Sequence, residues 1–292
     1  MLQYFMQQRY KHTLSKGYVP KLEYFCKVDE NSSKMPRAMH VHKNLVEVLL
    51  VYEGNGIYTI EHSKYIAKKG DLIFYNSDIV HDEFGGHGDN LSTYCLGISN
   101  LKLNHLEKNK IIADNYCPVI SSGESFDEIL SILEIIQKNI DDSELKIAEY
   151  SDFLMQALVV KFCTIIDKYG VLKELKEPSL ATKVKIYIDK NYNEAISLQS
   201  IAEAVNANQY YLAHIFKSET GFSPMQYVTR RRIGEAQNLL INTQLSITEI
   251  AANIGYNNSN YFQNVFRKMV GFTPGVYRKR WQPRMPGQLR SR

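Results

Sequence analysis

Between Tyr24 and Leu96 the apolar residues fall in short runs separated by turn residues, and none of these runs continues at helical spacing. Val46 to Tyr52 is a β-branched and aromatic run, Gly54-Asn55-Gly56 supplies a tight turn, and Ile57 to His62 resumes an extended pattern, so the spacing predicts a β-hairpin. Lys69-Gly70-Asp71 then turns the chain into Leu72-Ile73-Phe74-Tyr75. Several short strands without an intervening amphipathic helix predict a sandwich or small barrel of jelly-roll type.

The period changes after Ser125. Phe126, Ile129, Leu130, Leu133 and Ile136 recur at helical spacing, and Leu145, Ala148, Phe153, Ala157, Leu158 and Phe162 continue it in a second segment, with Asp141-Asp142-Ser143 between them to end one helix and cap the next. Two long apolar-faced helices need a surface to cover. The expectation is the same helices of a second subunit, giving a homodimer, with packing on the β domain as the alternative. Lys173 to Pro178 is polar, alternates in charge and ends at a proline, which makes it the expected linker.

Beyond the linker the pattern repeats. Leu198, Ile201, Ala202 and Val205 match Ile247, Ile250, Ala251 and Ile254, each 49 positions later. Tyr211, Leu212, Phe216, Lys217, Gly221, Phe222, Pro224 and Tyr227 match Tyr261, Phe262, Phe266, Arg267, Gly271, Phe272, Pro274 and Tyr277, each 50 later. Each copy reads as helix, short turn, helix. Ser246-Ile247-Thr248-Glu249 is a capping box, Ser197 caps the first copy, Gly255-Tyr256-Asn257-Asn258 makes the second turn, and Asn208 and Asn258 stand as N-caps of the following helices. Gly221 and Gly271 stop those helices, and Ser223-Pro224 and Thr273-Pro274 start the next.

Composition sharpens this picture without changing it. The chain has 292 residues, about two domains, with 44% hydrophobic and 23% charged residues, which excludes wholesale disorder. Residues 1–179 hold 20 Lys/Arg against 25 Asp/Glu and residues 180–292 hold 15 against 6, so the halves carry −5 and +9. A basic half built of two helix-turn-helix units has the charge and the geometry of a DNA reader, whereas a membrane-surface or architectural protein fits the charge alone. Cys26, Cys95, Cys117 and Cys163 form no CxxC pair and predict free thiols in a reducing cytoplasm. No signal-peptide core and no run of about 18 apolar residues occurs, so no membrane partner is expected.

Residues 183–281 resemble the DNA-binding domain of AraC/XylS-type transcription regulators. The resemblance is carried by Ile201-Ala202-Glu203, Tyr211-Leu212-x-x-Ile215-Phe216-Lys217 and Gly221-Phe222-Ser223-Pro224 with Tyr227 and Arg231. The second copy adds Gly255-Tyr256, Tyr261-Phe262-x-x-Val265-Phe266-Arg267-Lys268 and Gly271-Phe272-Thr273-Pro274-x-x-Tyr277-Arg278. It implies one recognition helix per copy in successive major-groove segments of double-stranded DNA, joined by a helix over about 224–241. Tyr210, Ala213 and His214 would face bases from the first helix, and Ser259, Asn260, Gln263 and Asn264 from the second, where Asn and Gln can pair with adenine. Ala213 offers only a methyl. Lys217, Arg230, Arg231, Arg267, Lys268, Arg278, Lys279 and Arg280 would serve phosphates or the fold, with Arg231 paired to Glu235 as a structural alternative.

In the β half, His40-x-His42-x4-Glu47-x6-Gly54 and Gly70-x5-Asn76-x4-His81 resemble the two cupin motifs, although Asn76 and Asp78 replace the usual Pro and Gly. In enzymatic cupins such a set binds a divalent metal. In AraC-type regulators the same skeleton lines an effector pocket, and that reading of His40, His42, Glu47 and His81 is preferred, with metal ligation as the alternative. The expected protein is therefore an α+β two-domain chain. Residues 1–172 form a cupin-like β-barrel effector domain with pairing helices from about 125, 173–182 a linker, 183–282 the all-α tandem helix-turn-helix domain, and 283–292 a basic tail. Its expected function is cytoplasmic, effector-responsive transcription regulation, with a sugar or related metabolite as effector, no enzymatic activity and no cofactor. RNA polymerase is a further partner if it activates. The rival is a metal-dependent cupin enzyme fused to a DNA-binding domain.

Overall fold

A computed structural model describes residues 11–29, 37–83, 91–140, 145–173 and 177–282. The expected tail at 283–292 and the cap at Asp141-Asp142-Ser143 lie outside the described residues. The N-terminal region contains β1 (Lys21–Val28), β2 (Arg37–His40), β3 (Leu45–Glu53), β4 (Asn55–Ile60), β5 (Ser63–Lys68), β6 (Asp71–Tyr75), β7 (His81–Glu83), β8 (Ser92–Ser99) and β9 (Val119–Ser121). They form two antiparallel sheets, ordered β1-β8-β3-β6-β9 and β2-β7-β4-β5, so of the sandwich and the small barrel that the pattern allows the protein takes the two-sheet sandwich and not a closed barrel.

The hairpin expected across Gly54 does not form. β3 pairs with β6 and β8, while β4 pairs with β5 and β7, so the chain changes sheets at Gly54, where φ is 72°. The reason lies in β3 itself, whose residues from Val46 to Val51 are all buried. A strand apolar on both faces belongs in the centre of a sheet with a layer on each side. Val46, Val48 and Leu50 meet the helices that follow, while Leu49 and Val51 meet Tyr58, Ile60, Ala67 and Tyr75 between the sheets.

Helices α1 (Phe126–Ile140) and α2 (Leu145–Tyr169) pack on the outer face of the five-stranded sheet. Ile129, Leu133 and Ile136 of α1 and Met155, Leu158, Val159 and Phe162 of α2 join Val46, Leu72, Phe74 and Ile98 in one core. The apolar stripe expected to pair subunits is thus largely spent on the protein's own sheet. Tyr150, Phe153 and Val160 of α2 face outward instead.

The C-terminal region is helical: α3 (Leu180–Asn191), α4 (Leu198–Ala204), α5 (Gln209–Thr220), α6 (Pro224–Asn242), α7 (Ile247–Asn253), α8 (Ser259–Val270) and α9 (Pro274–Trp281). The local signals act as the sequence indicates. Ser197 and Ser246 close capping boxes with Ser200 and Glu249, Asn208 and Asn258 accept hydrogen bonds from first-turn N–H groups, and Ser223 and Thr273 cap helices that begin with proline. Gly221 and Gly271 both adopt φ of 85°, the left-handed conformation that ends α5 and α8.

Candidate functional site

The two helix-turn-helix units, α4/α5 and α7/α8, bury matching anchors and expose matching faces. Leu212 and Phe216 of α5, and Phe262 and Phe266 of α8, are fully buried. These helices are therefore fixed by one face, and the opposite face is left to solvent. On α5 that face holds Tyr210, His214 and Lys217, with Ala213 half-buried; on α8 it holds Asn260, Asn264, Arg267 and Lys268, with Ser259 and Gln263 half-buried. Tyr211 and Tyr261 are also open, at 59% and 61% exposure. Their place in the repeat had marked them only as matching positions.

The arginines divide sharply. Arg231 is buried, stacks on Tyr192 with 4.3 Å from guanidinium carbon to ring centroid, and pairs with Glu235 at 3.3 Å and Asp189 at 3.8 Å. Burial pushes the Asp189 carboxyl up to about 6 although Arg231, Tyr227 and Lys185 pull the other way. Arg232 donates to the carbonyls of Tyr192 and Glu194, and Arg278 donates to that of Leu240. Lys217, Arg267, Lys268, Lys279 and Arg280 remain exposed.

Arg230 crosses to the sandwich. Its guanidinium donates to Asp82 Oδ2 at 2.9 Å, and both residues are largely buried. Burial holds the Asp82 carboxyl above its ordinary range, with Arg230 opposing the shift. Nearby, Asn238 Nδ2 donates to the Val41 carbonyl at 3.2 Å, and Lys185 Nζ donates to that of His62 at 2.9 Å. Met39 is 2% exposed and lies in the core of the first unit with Val184, Ile188, Phe216 and Tyr227. Sequence reasoning missed this interface because each partner lies more than 100 residues from the other.

In the sandwich, His40, His42, Glu47 and His81 come together as expected, with one ligand atom from each lying within 4.8 Å of the others. His40 and His81 are cross-strand partners of the smaller sheet, and Glu47 enters from the central strand of the larger one. His81 Nε2 is 2.9 Å and His42 Nε2 is 3.6 Å from Glu47 Oε2. Tyr24 Oη and Cys95 Sγ both donate to Glu47 Oε1, at 2.6 and 2.9 Å, and Tyr75 stacks on His81 with ring centroids 3.9 Å apart. Tyr24 reaches the site only because residue 97 is glycine, since a Cβ there would lie 2.2 Å from its ring. Asn76 stays outside the cluster and ties the 111–112 backbone, with Oδ1 accepting from Ile111 N and Nδ2 donating to Ile112 O. The cluster borders a cavity of about 1180 Å³ whose other wall includes Gly234, Gln237 and Asn238 of α6.

Comparison with known proteins agrees with both halves. Residues 27–156 match the AraC-like ligand binding domain and residues 201–280 match a helix-turn-helix domain. The chain belongs to the AraC family of transcription regulators. Among its relatives, the uncharacterized HTH-type transcriptional regulator YdiP of Escherichia coli strain K12 is 28% identical over 273 residues, 91% of this chain and 88% of that one. The Msm operon regulatory protein of Streptococcus mutans is 26% identical over 238 residues, 80% and 83% of the two chains. The HTH-type transcriptional activator RhaR of Enterobacter is 23% identical over 247 residues, 83% and 87%. As an AraC-family member the chain is a DNA-binding transcription regulator with a ligand-binding N-terminal domain. Among the described residues, no helix is long and apolar enough to cross a membrane.

Proposed function

We propose that α5 and α8 are the two base readers of this regulator, that α8 carries most of the sequence discrimination, and that the sandwich cavity receives the effector. The observation that carries the reading is the opposed faces of α8: Phe262 and Phe266 are sunk in the core while Asn260, Asn264, Arg267 and Lys268 face outward. Amides pair with base edges, and the cations with phosphates. Tyr210, Ala213, His214 and Lys217 of α5 form the weaker reader, and Tyr211 and Tyr261 pack against the DNA backbone.

A relative from Staphylococcus xylosus, 24% identical over 236 residues, is named a lactose operon transcription activator, and hydroxyl, amide and imidazole groups stand among the cavity's mainly apolar lining; together these support a sugar or related metabolite as effector. The protein acts in the cytoplasm as a homodimer through the outward Tyr150, Phe153 and Val160 of α2, engages RNA polymerase when it activates, and is not an enzyme. Its sensing domain spans 1–172 and its DNA-binding domain 183–282. The test is titration of duplex DNA by the full chain at several salt concentrations. A steep fall of affinity with salt is expected, because bound Lys and Arg release counterions. Salt-independent binding, or none, would refute the assignment of α5 and α8.

A further inference from the structure

β1 and β8 run antiparallel in a register that sets Cys26 directly opposite Cys95 and Tyr24 opposite Gly97. Opposed residues share one face of the sheet, with Cα atoms about 4.5 or 5.5 Å apart according to the hydrogen-bonding class, and both distances lie within the roughly 4.4–6.8 Å that a disulfide spans. Here that face looks into the sandwich. Cys95 is 3% exposed and belongs to the core between the sheets, and half-buried Cys26 and Tyr24 pack against that core. Both cysteines also line the cavity of about 1180 Å³.

No disulfide joins the pair, and the Cys95 thiol donates to Glu47 Oε1 at 2.9 Å. The other two cysteines are placed differently. Cys163 lies on α2 in the core shared with Leu158, Val159 and Phe162, where burial pushes its thiol up to about 12. The Cys117 thiol donates to the Val119 carbonyl at 3.3 Å. Only Cys26 and Cys95 stand in register across two strands, one partly open beside a cavity and the other behind it, which is the arrangement of an attacking and a resolving cysteine.

We propose that Cys26 and Cys95 form a reversible disulfide site in the cavity wall, closed by hydrogen peroxide and reopened by a thiol reductant, and that its state changes the DNA affinity of the chain. The effect on DNA rests on the sensing role given above to the N-terminal domain. The Cys26 sulfur attacks one peroxide oxygen, the O–O bond breaks, and Cys26 sulfenic acid and one water form. The Cys95 sulfur then attacks the Cys26 sulfur, the S–O bond breaks, the disulfide forms, and the Cys95 proton leaves with the hydroxyl as a second water. The two thiols lose one electron pair, which the peroxide gains. Opposed Cβ atoms stand about 4.5–5.5 Å apart and a disulfide holds them at about 3.5–4.5 Å, so closure draws the strands together by about 1 Å. A bond under such strain is easily reduced again, as a switch requires. Closure also takes the Cys95 proton from Glu47 Oε1. The other oxygen of Glu47 lies 2.9 Å from His81 Nε2, and Asp82, next in the chain, grips Arg230 of α6. The disulfide thus acts on the carboxylate through which the larger sheet meets β7, and β7 meets the DNA-binding half.

The test uses the full chain, reduced, freed of reductant and exposed to a small excess of hydrogen peroxide. Peptide mass mapping should find Cys26 joined to Cys95 in most chains, with Cys163 still a thiol, and dithiothreitol should restore both thiols. Cys95→Ala should instead collect sulfenic acid at Cys26, trapped by dimedone. The affinity of the wild-type chain for its selected DNA site should differ by about 5- to 150-fold between the reduced and oxidised forms, the usual span of coupling between sites. Cys26→Ser, altered at the more exposed position, should show no such response to peroxide. A wild-type chain that keeps both thiols, or joins either of them to Cys117 or to a second chain, overturns the site. A Cys26–Cys95 disulfide that leaves DNA affinity unchanged overturns the coupling. The effector reading is judged separately, by sugar titrations of DNA affinity in Cys26→Ser, which cannot close the bond.

Discussion

The two helix-turn-helix units share their caps, their glycine stops and their proline starts, yet their cores are closed differently. The second unit is closed by its own chain, with Tyr277 and partly buried Trp281 packing on Ile233, Phe262 and Phe266. The first borrows Met39 and Val80 from the sandwich and has Arg230 tied to Asp82. Their exposed faces differ in the opposite sense: the borrowed unit offers a methyl and an imidazole at Ala213 and His214, and the self-contained unit offers the amides of Asn260, Gln263 and Asn264. A duplicated motif has kept one grammar of local signals while its tertiary contacts diverge; under the reading proposed above, the second unit reads DNA and the first couples to the sandwich.

Substitutions can break that division, the largest effects coming from the cores. Phe266→Ala should cost the second unit about 3–5 kcal/mol by leaving a cavity. Hydrogen exchange should then rise in α7 to α9 and leave residues 39–41 protected, whereas Phe216→Ala should expose both α5 and residues 39–41. Asp82→Ala strands Arg230 in a buried site and should cost about 3 kcal/mol, measured by chemical denaturation, with the loss confined to the first unit and β7. Asn258→Ala and Asn208→Ala should each cost about 1 kcal/mol, equal in the two units because caps are local.

A further effect is one of pH. Asp189, beside Arg231, Lys185, Tyr227, Glu235 and Tyr192, is held at about 6 when folded, against an ordinary 3.8. Between those values the folded chain keeps a proton that the unfolded chain has released, so stability falls as pH rises from about 4 to 6 and is level above. Asp82 is raised by burial too and adds to the slope. Asp189→Asn should reduce the dependence of the denaturation midpoint on pH in this window without abolishing it.

How legible each region was follows the range of its interactions. The helical repeat could be read because capping boxes, Asn caps and Gly-Phe-Ser/Thr-Pro turns act within four residues of themselves. The convergence of His40, His42, Glu47 and His81 was visible as spacing, though not that it bridges two sheets. The false hairpin at Gly54 arose because turn residues report a change of direction and not which strand is met next; the doubly buried run from Val46 to Val51 was the available clue. Arg230 and Arg231 read as charge for phosphates or for the fold. Arg230 meets Asp82, 148 residues away, which no local pattern reveals.

The division of tasks is tested most directly by binding of the full chain to its selected DNA site and to random duplex, comparing Gln263→Ala and Asn264→Ala with Tyr210→Ala and His214→Ala. Loss of about 1–3 kcal/mol by each amide variant on the selected site, with little loss on random DNA and a smaller loss of discrimination for the first-unit pair, is the predicted result. Equal losses on both DNAs for the amide variants, or greater loss of discrimination from the first unit, would contradict it.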